Sequence, residues 1–269
     1  MSPASTFTTF TLPTGQVARI PADVELKVPE KTSLELERLH YLIYIPWDDK
    51  YLQRVDEAYR DFFGVVLPYL RLRTTNVHVA TCLPFVKELS RAMPEAVDER
   101  VVMVAFILHD SGWSQMKEAE IADSLGVKGL ALSGDAVNPK ARHAILGQQI
   151  AQRVLAGYRF EPPLTESQTE WIYKAILYHD KPWELAGQGD IPAAVKLVCD
   201  VDHLWSFTHE NFWQDTVRKE VAPVSYLKNL ENDLEGYFVT EAGKAKARSL
   251  IQERQAEVAA WEHLAAAPA

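Results

Sequence analysis

Four histidines and two aspartates in the middle of the chain are the residues best placed to do chemistry: His78, His109, Asp110, His143, His179 and Asp202. Each lies in, or at the end of, an apolar run with helical period, and residues at i, i+3, i+4 and i+7 share one helix face. His78 falls in a stripe with Thr81, Cys82, Phe85 and Leu89, and His143 in one with Leu146, Gly147, Ile150 and Val154. His179 is in line with Ile172, Ala175 and Ile176, and Asp202 with Val195, Val198 and Cys199. His109 and Asp110 close the run Val101-Val102-Met103-Val104-Ala105-Phe106-Ile107-Leu108. Six polar groups therefore point toward one apolar interior.

An ionised carboxylate removed from water without a partner is costly, so Asp110 and Asp202 require a compensating charge. Few basic residues lie near them in the sequence. Neutral imidazoles and carboxylates form a donor set suited to Zn, Mn or Fe, with Mg at a second position, and a metal would satisfy every member at once. One such histidine alone is more often a hydrogen-bonded core residue than a ligand. Five helices each offering an inward His or Asp, with one adjacent His-Asp pair, are hard to obtain as unrelated accidents. The expected cofactor is one or two divalent transition metals.

The elements that must position these groups are helices, and the fold class expected is all-α. The first stretch, Thr6 to about Pro29, is rich in Thr, Val and Phe and is broken at Pro13-Thr14-Gly15, which reads as a β-hairpin or extended arm. From Thr32 the pattern turns helical through Leu34, Leu36, Leu39 and Leu42 to a break at Pro46, and a second helix is expected from Asp48 to Leu70. Further helices are expected at about Asn76 to Met93, Val97 to His109, Gln115 to Leu125, Pro139 to Tyr158, Glu166 to His179, Pro192 to Thr208, Phe212 to Val221 and Thr240 to His263. Asn138 before Pro139, and Thr165 with Gln168 three residues on, are start signals. Gly126 to Asp135 and Lys181 to Asp190 read as loops. The organisation expected is an N-terminal extension over 1–31, one helical domain over 32–264 and a disordered tail over 265–269.

These motifs resemble the HD superfamily, whose pattern is an isolated His, a His-Asp doublet after an apolar helix, and a distant Asp. Here they are His78, then Leu108-His109-Asp110-Ser111-Gly112, then Cys199-Asp200-Val201-Asp202-His203-Leu204, which is similar to the family's Asp-Ala-Asp-Xaa-Leu run. That likeness makes the second acid, Asp202, the ligand, and helix phase independently favours it over Asp200. The extra histidines, in Arg142-His143-Ala144-Ile145-Leu146-Gly147 and Tyr178-His179-Asp180, match the subset that binds two metals. The resemblance covers roughly residues 74 to 207.

It implies an HD-type helical bundle and a split site, with His78, His109, Asp110 and Asp202 on one metal and Asp110 bridging to a second on His143 and His179. The chemistry it implies first is phosphoester hydrolysis of a small molecule by a metal-bound hydroxide. The alternative is a mixed-valent diiron oxygenase that cleaves a C–C or C–P bond, since the myo-inositol oxygenase and phosphonate-cleaving groups resemble the same ligand list. A third reading is a metal-binding HD sensor without catalysis. The oxygenases and the cyclic-di-GMP phosphodiesterases commonly carry Lys or His three residues after the doublet's Asp, where this chain has Trp113. The Gly-Tyr-Pro signature of the phosphodiesterases is missing too: His179-Asp180-Lys181-Pro182-Trp183 stands in its place.

Near the motifs, Asp110, Lys181 and His203 are the catalytic candidates. Lys181 can bind an anionic group or be a solvated loop lysine. His203 lies about 100° around the helix from Asp202 and can hydrogen-bond a ligand or substrate. Arg142 can meet an anion at the rim, although a helix arginine beside a buried residue usually faces water. His40, His209 and His263 default to structure. Trp113, Trp183 and Trp205 each lie within five residues of a proposed ligand and can wall a pocket or fill core. Chain position alone makes the N-terminal arm and the Tyr41 to Trp47 segment candidate lids.

A chain of 269 residues can bury about three quarters of its unfolded surface in a large core. Net charge is −9 with no basic stripe, which argues against duplex nucleic acid as a partner and leaves a small, anionic substrate bound through metal. Cys82 and Cys199 both lie in apolar runs, which points to free thiols and a reducing, cytoplasmic compartment. Neither a membrane span nor a signal-peptide layout is expected.

Overall fold

The computed structural model describes residues 6–29, 42–72, 74–124, 138–186 and 188–266, and its architecture is mostly α-helical. The chain opens with a two-stranded antiparallel hairpin, β1 (Phe7–Thr11) and β2 (Val17–Pro21), in which Phe7 faces Pro21 and Thr11 faces Val17. Eleven α-helices follow among the described residues: α1 (Arg60–Val66), α2 (Thr75–Ala92), α3 (Glu99–Leu108), α4 (Glu118–Ser124), α5 (Pro139–Gly157), α6 (Glu166–Tyr178), α7 (Pro182–Leu185), α8 (Ala193–Leu204), α9 (His209–Arg218), α10 (Pro223–Tyr237) and α11 (Glu241–Ala266). Short 3-10 segments link several of them, including His109–Gln115 after α3 and Trp205–Phe207 after α8.

The most apolar stretch of the sequence becomes α3, started by the Asp98 side chain, which accepts from Val101 N. It is buried from Val101 to Leu108, as expected of a helix apolar all round. It packs against α2, α6 and α8. The caps read from sequence form: Asn138 accepts from Lys140 N, and Thr165 and Gln168 make a reciprocal capping box. One buried apolar cluster runs from Leu12 and Ile20 of the hairpin through Phe62, Phe106 and Val198 to Val258 of α11. A smaller one, Trp113, Met116 and Ile121, lies after the His-Asp doublet.

Several boundaries differ from expectation. The single helix expected from Asp48 to Leu70 is divided into 3-10 turns and α1. Asp48 and Asp56 each cap a fresh start, Val55 is extended, and Pro68 sits in a final 3-10 turn. The Gln115 to Leu125 helix starts later, at Glu118, because the doublet's own turn runs on to Gln115. Within the stretch read as a loop after Lys181, Pro182–Leu185 forms α7. All of α10 was missed: its buried Tyr226, Leu227, Leu230 and Leu234 keep helical spacing, but Asn229, Asn232, Asp233 and Gly236, poor helix formers, interrupt the pattern. The Leu34 to Leu39 part of the first expected helix, the Gly126 to Asp135 loop, His40 and residues 267–269 lie outside the described residues.

Among the described residues, neither candidate lid lines the cleft at the site. Phe7 packs edge-on against Trp213 at 5.6 Å, and Trp261 Nε1 donates to Arg19 O. Ile43 and Ile45 are buried; Ile43 O accepts from Gln214 Nε2 and Arg218 Nε, and Ile45 N donates to Thr74 Oγ1. Residues 42–47 form a strap built into the core.

Among the described glycines, the tightest approach falls beside the doublet. A Cβ on Gly112 would stand 1.9 Å from His143 O and 2.5 Å from Gly147 N, and one on Gly147 would stand 2.9 Å from His109 O. Backbone therefore lies on backbone, which fixes α5 against the doublet's turn. Gly112→Ala is expected to cost about 3 kcal/mol or more by overpacking, read as a lowered urea midpoint with an unchanged slope.

Candidate metal centre

Six side chains from five stretches of chain meet at this contact. His78 comes from α2, His109 and Asp110 from the 3-10 turn after α3, His143 from α5, His179 from the end of α6 and Asp202 from the last turn of α8. All four histidines are buried. Asp110 divides the group. Its Oδ2 lies 3.4 Å from His78 Nδ1 and 3.5 Å from His109 Nε2, while its Oδ1 lies 3.3 Å from His143 Nε2 and 3.7 Å from His179 Nε2. Asp202 Oδ1 completes the first set, 3.1 Å from His109 Nε2 and 3.4 Å from His78 Nε2. Donor atoms of His78, His109, Asp110 and Asp202 thus lie within 4.8 Å of one another, as do those of Asp110, His143 and His179.

Tautomers are fixed from behind. His109 Nδ1 donates to Phe106 O and His179 Nδ1 to Ile176 O, each at 2.6 Å, so each Nε2 turns a lone pair inward. A lone pair facing a carboxylate oxygen at 3.1 Å is favourable only with a proton or a cation between them. Burial disfavours charge on His109, yet Asp110 and Asp202 outweigh it and push the imidazole up to about 9. Burial, with the neighbouring His109 and His143, pushes His179 down to about 4. Against burial, the imidazoles hold the Asp110 and Asp202 carboxyls below the usual carboxylate range. One proton on His109 serves the first set only.

The second set makes a stronger case. His143 Nε2 and His179 Nε2 are 2.9 Å apart. Two nitrogens each about 2.1 Å from one metal, at a right angle, are about 3 Å apart. A proton on His143 would join that pair, but a metal would join both nitrogens and Asp110 Oδ1 together. The buried His78 Nε2 makes no hydrogen bond within the protein, which also fits a cation in the first set. These buried groups can hold a metal ion.

Trp113 steadies the shared carboxylate. Its Nε1 donates to Asp110 Oδ1 at 3.0 Å, and its ring stacks on His143 at 4.1 Å between centroids. Trp205 stacks on His78 at 5.1 Å. Outward from the cluster opens a cleft of about 480 Å³ whose lining includes all three tryptophans near the motifs, Trp113, Trp183 and Trp205.

The remaining candidates separate. His203 lines the cleft, stacks on Tyr237 at 5.3 Å and lies near Asp180 and Asp202. Lys181 does not line it; its ammonium lies 3.5 Å from Glu184 and over the Tyr178 ring. Arg142 pairs with buried Glu120 rather than with the rim. His209 joins Glu257 and Asp23, and His263 is exposed. Asp200 turns away from the site and accepts from Val239 N, Thr240 N and Thr240 Oγ1 at the start of α11. Burial pushes its carboxyl up to about 7 against those bonds.

Sequence reasoning missed Lys140 and Asp180, which line the cleft. A signal existed for both: Lys140 is three residues before His143 on the same face, and Asp180 follows His179 directly. Tyr237 was missed along with α10.

Comparison with protein-family models, curated proteins and solved structures finds no match. Among the described residues, no helix is long and apolar enough to cross a membrane, and both cysteines are buried and free.

The two aspartates of α8 give a paired expectation. Asp202→Ala, like His109→Ala and Asp110→Ala, is expected to strip metal from the purified protein. Asp200→Ala should keep metal while losing about 1–3 kcal/mol of stability, because three donors, two of them buried, lose their acceptor. Elemental analysis beside urea unfolding reads both effects, and unchanged metal in both doublet variants would remove the metal centre.

Proposed function

We propose that this chain is a metal-dependent enzyme of the HD type that hydrolyses a phosphoester of a small molecule. In this reading His78, His109, Asp110 and Asp202 hold one metal, and Asp110, His143 and His179 hold a second. The observation that carries it is the division of Asp110, whose two oxygens face different histidine groups from one side chain. A carboxylate facing two ways suits a bridging ligand.

Divalent metals bound there supply Lewis acidity toward phosphoryl oxygens and lower the pKa of bound water. The chain's own residues prepare that chemistry. The carbonyls of Phe106 and Ile176 hold His109 and His179 in the tautomer that presents Nε2. Trp113 holds Asp110 Oδ1, and the stacked rings of Trp113 and Trp205 restrict His143 and His78. Substrate enters by the cleft, where Trp183, 71% exposed, offers a ring face to its organic part.

A second reading, the mixed-valent diiron oxygenase, is favoured by depth. His109 and His143 are fully buried, and Phe106 stacks on His109 at 4.6 Å, which shields reactive chemistry from water.

The two are separated by protein purified without added metal. The hydrolase is expected to release phosphate from some member of a panel of nucleotides, phosphosugars and model esters, only with metal and not in Asp110→Ala. Silence across the panel with Mn, Zn and Fe counts against it. Iron with a mixed-valent spin signal and substrate-dependent oxygen uptake would replace it with the oxygenase.

A further inference from the structure

The His143 and His179 half of the centre is linked through a carboxylate to an ammonium. Lys140 lies one turn before His143 on the same face of α5, lines the cleft, and its side chain is more than half exposed. Its Nζ is 3.3 Å from Asp180 Oδ1, and Asp180 Oδ2 is 3.9 Å from His143 Nε2. A carboxylate thus stands between the ammonium and the histidines. Asp180, unlike Lys140, is largely buried, so it is the fixed member of the pair.

An ion pair with one partner this exposed contributes little to stability. A floor carrying metal ions repels an ammonium unless negative charge lies between them. Asp180 supplies that charge in the free protein and holds the Lys140 ammonium at the cleft lining. In a complex, an oxyanion that reaches the floor would be attracted from both sides. Lysine suits this task, because its ammonium is a compact charge with three donors that adapts to a tetrahedral anion.

We infer that Lys140, held by Asp180, binds a phosphoryl oxygen of the substrate opposite the metal centre, so that the preferred ligands carry a phosphoryl oxyanion. This rests on the metal-centre reading above. It also moves the anion-binding role from Lys181, which pairs with Glu184 and does not line the cleft, to Lys140.

The test titrates inorganic phosphate into metal-loaded protein by calorimetry, with metal content and thermal midpoint measured on every sample. Lys140→Ala is expected to weaken phosphate binding about tenfold or more, the loss of one charge-assisted hydrogen bond. Its metal content and midpoint should stay at wild-type values. Lys140→Arg should retain most of the affinity, and Lys181→Ala all of it. Wild-type phosphate affinity in Lys140→Ala, with metal in place, overturns this inference and leaves the metal centre standing, as does loaded wild type that binds no phosphate. A wild-type chain that takes up no metal overturns both.

Discussion

Asp110 is the constraint on which the site depends. Its carboxylate lies in the interior, held ionised by imidazoles on two sides, and each of its oxygens answers to a different pair of histidines. A buried carboxylate so placed is unfavourable unless its surroundings are arranged around it. The surroundings are so arranged: an indole N–H on one oxygen, rings with fixed tautomers facing inward, and a second ionised acid, Asp202, across from the doublet. Removing any one piece leaves the others poorly satisfied.

Positioning comes from backbone. Gly112 and Gly147 let the doublet's turn and α5 touch main chain to main chain, closer than any side chain would permit. Asp110 Oδ1 and His143 Nε2 are neighbours because of that contact. On α8, residues two apart on a helix face different sides, so Asp202 reaches the site while Asp200 anchors the start of α11. One helix thus ties the site to the C-terminal helices, and Tyr237, stacked on His203, brings that region to the cleft wall.

Most of the cluster was legible because helix phase is a local property. A polar residue in an apolar stripe must face inward wherever the helix goes, and four such statements, with the doublet that closes the run Val101–Leu108, were enough to draw the six residues together. What could not be read was anything decided by contact between distant segments. Lys181 and Lys140 look alike as lysines near a ligand, and only the packing of α7 and α5 turns one away from the cleft and the other into it. The tight approach at Gly112 is invisible in a sequence that shows an ordinary Ser-Gly-Trp turn. The helix α10 was lost for a different reason: its polar, poor helix formers masked a sound apolar spacing that packing then rescued.

The donors are contributed by α2, the turn after α3, α5, α6 and α8, stretches separated by long intervals of chain. No fragment of this protein holds even one complete half of the centre from adjacent residues, so the cluster exists only once the helices have docked. Chain-entropy cost must be met before these ligands converge. A ligand that requires all five stretches together would bind the folded state alone and strengthen its cooperativity. Occupancy of such a centre would therefore report on the integrity of the whole helical assembly, and the fraying of any one helix would register there.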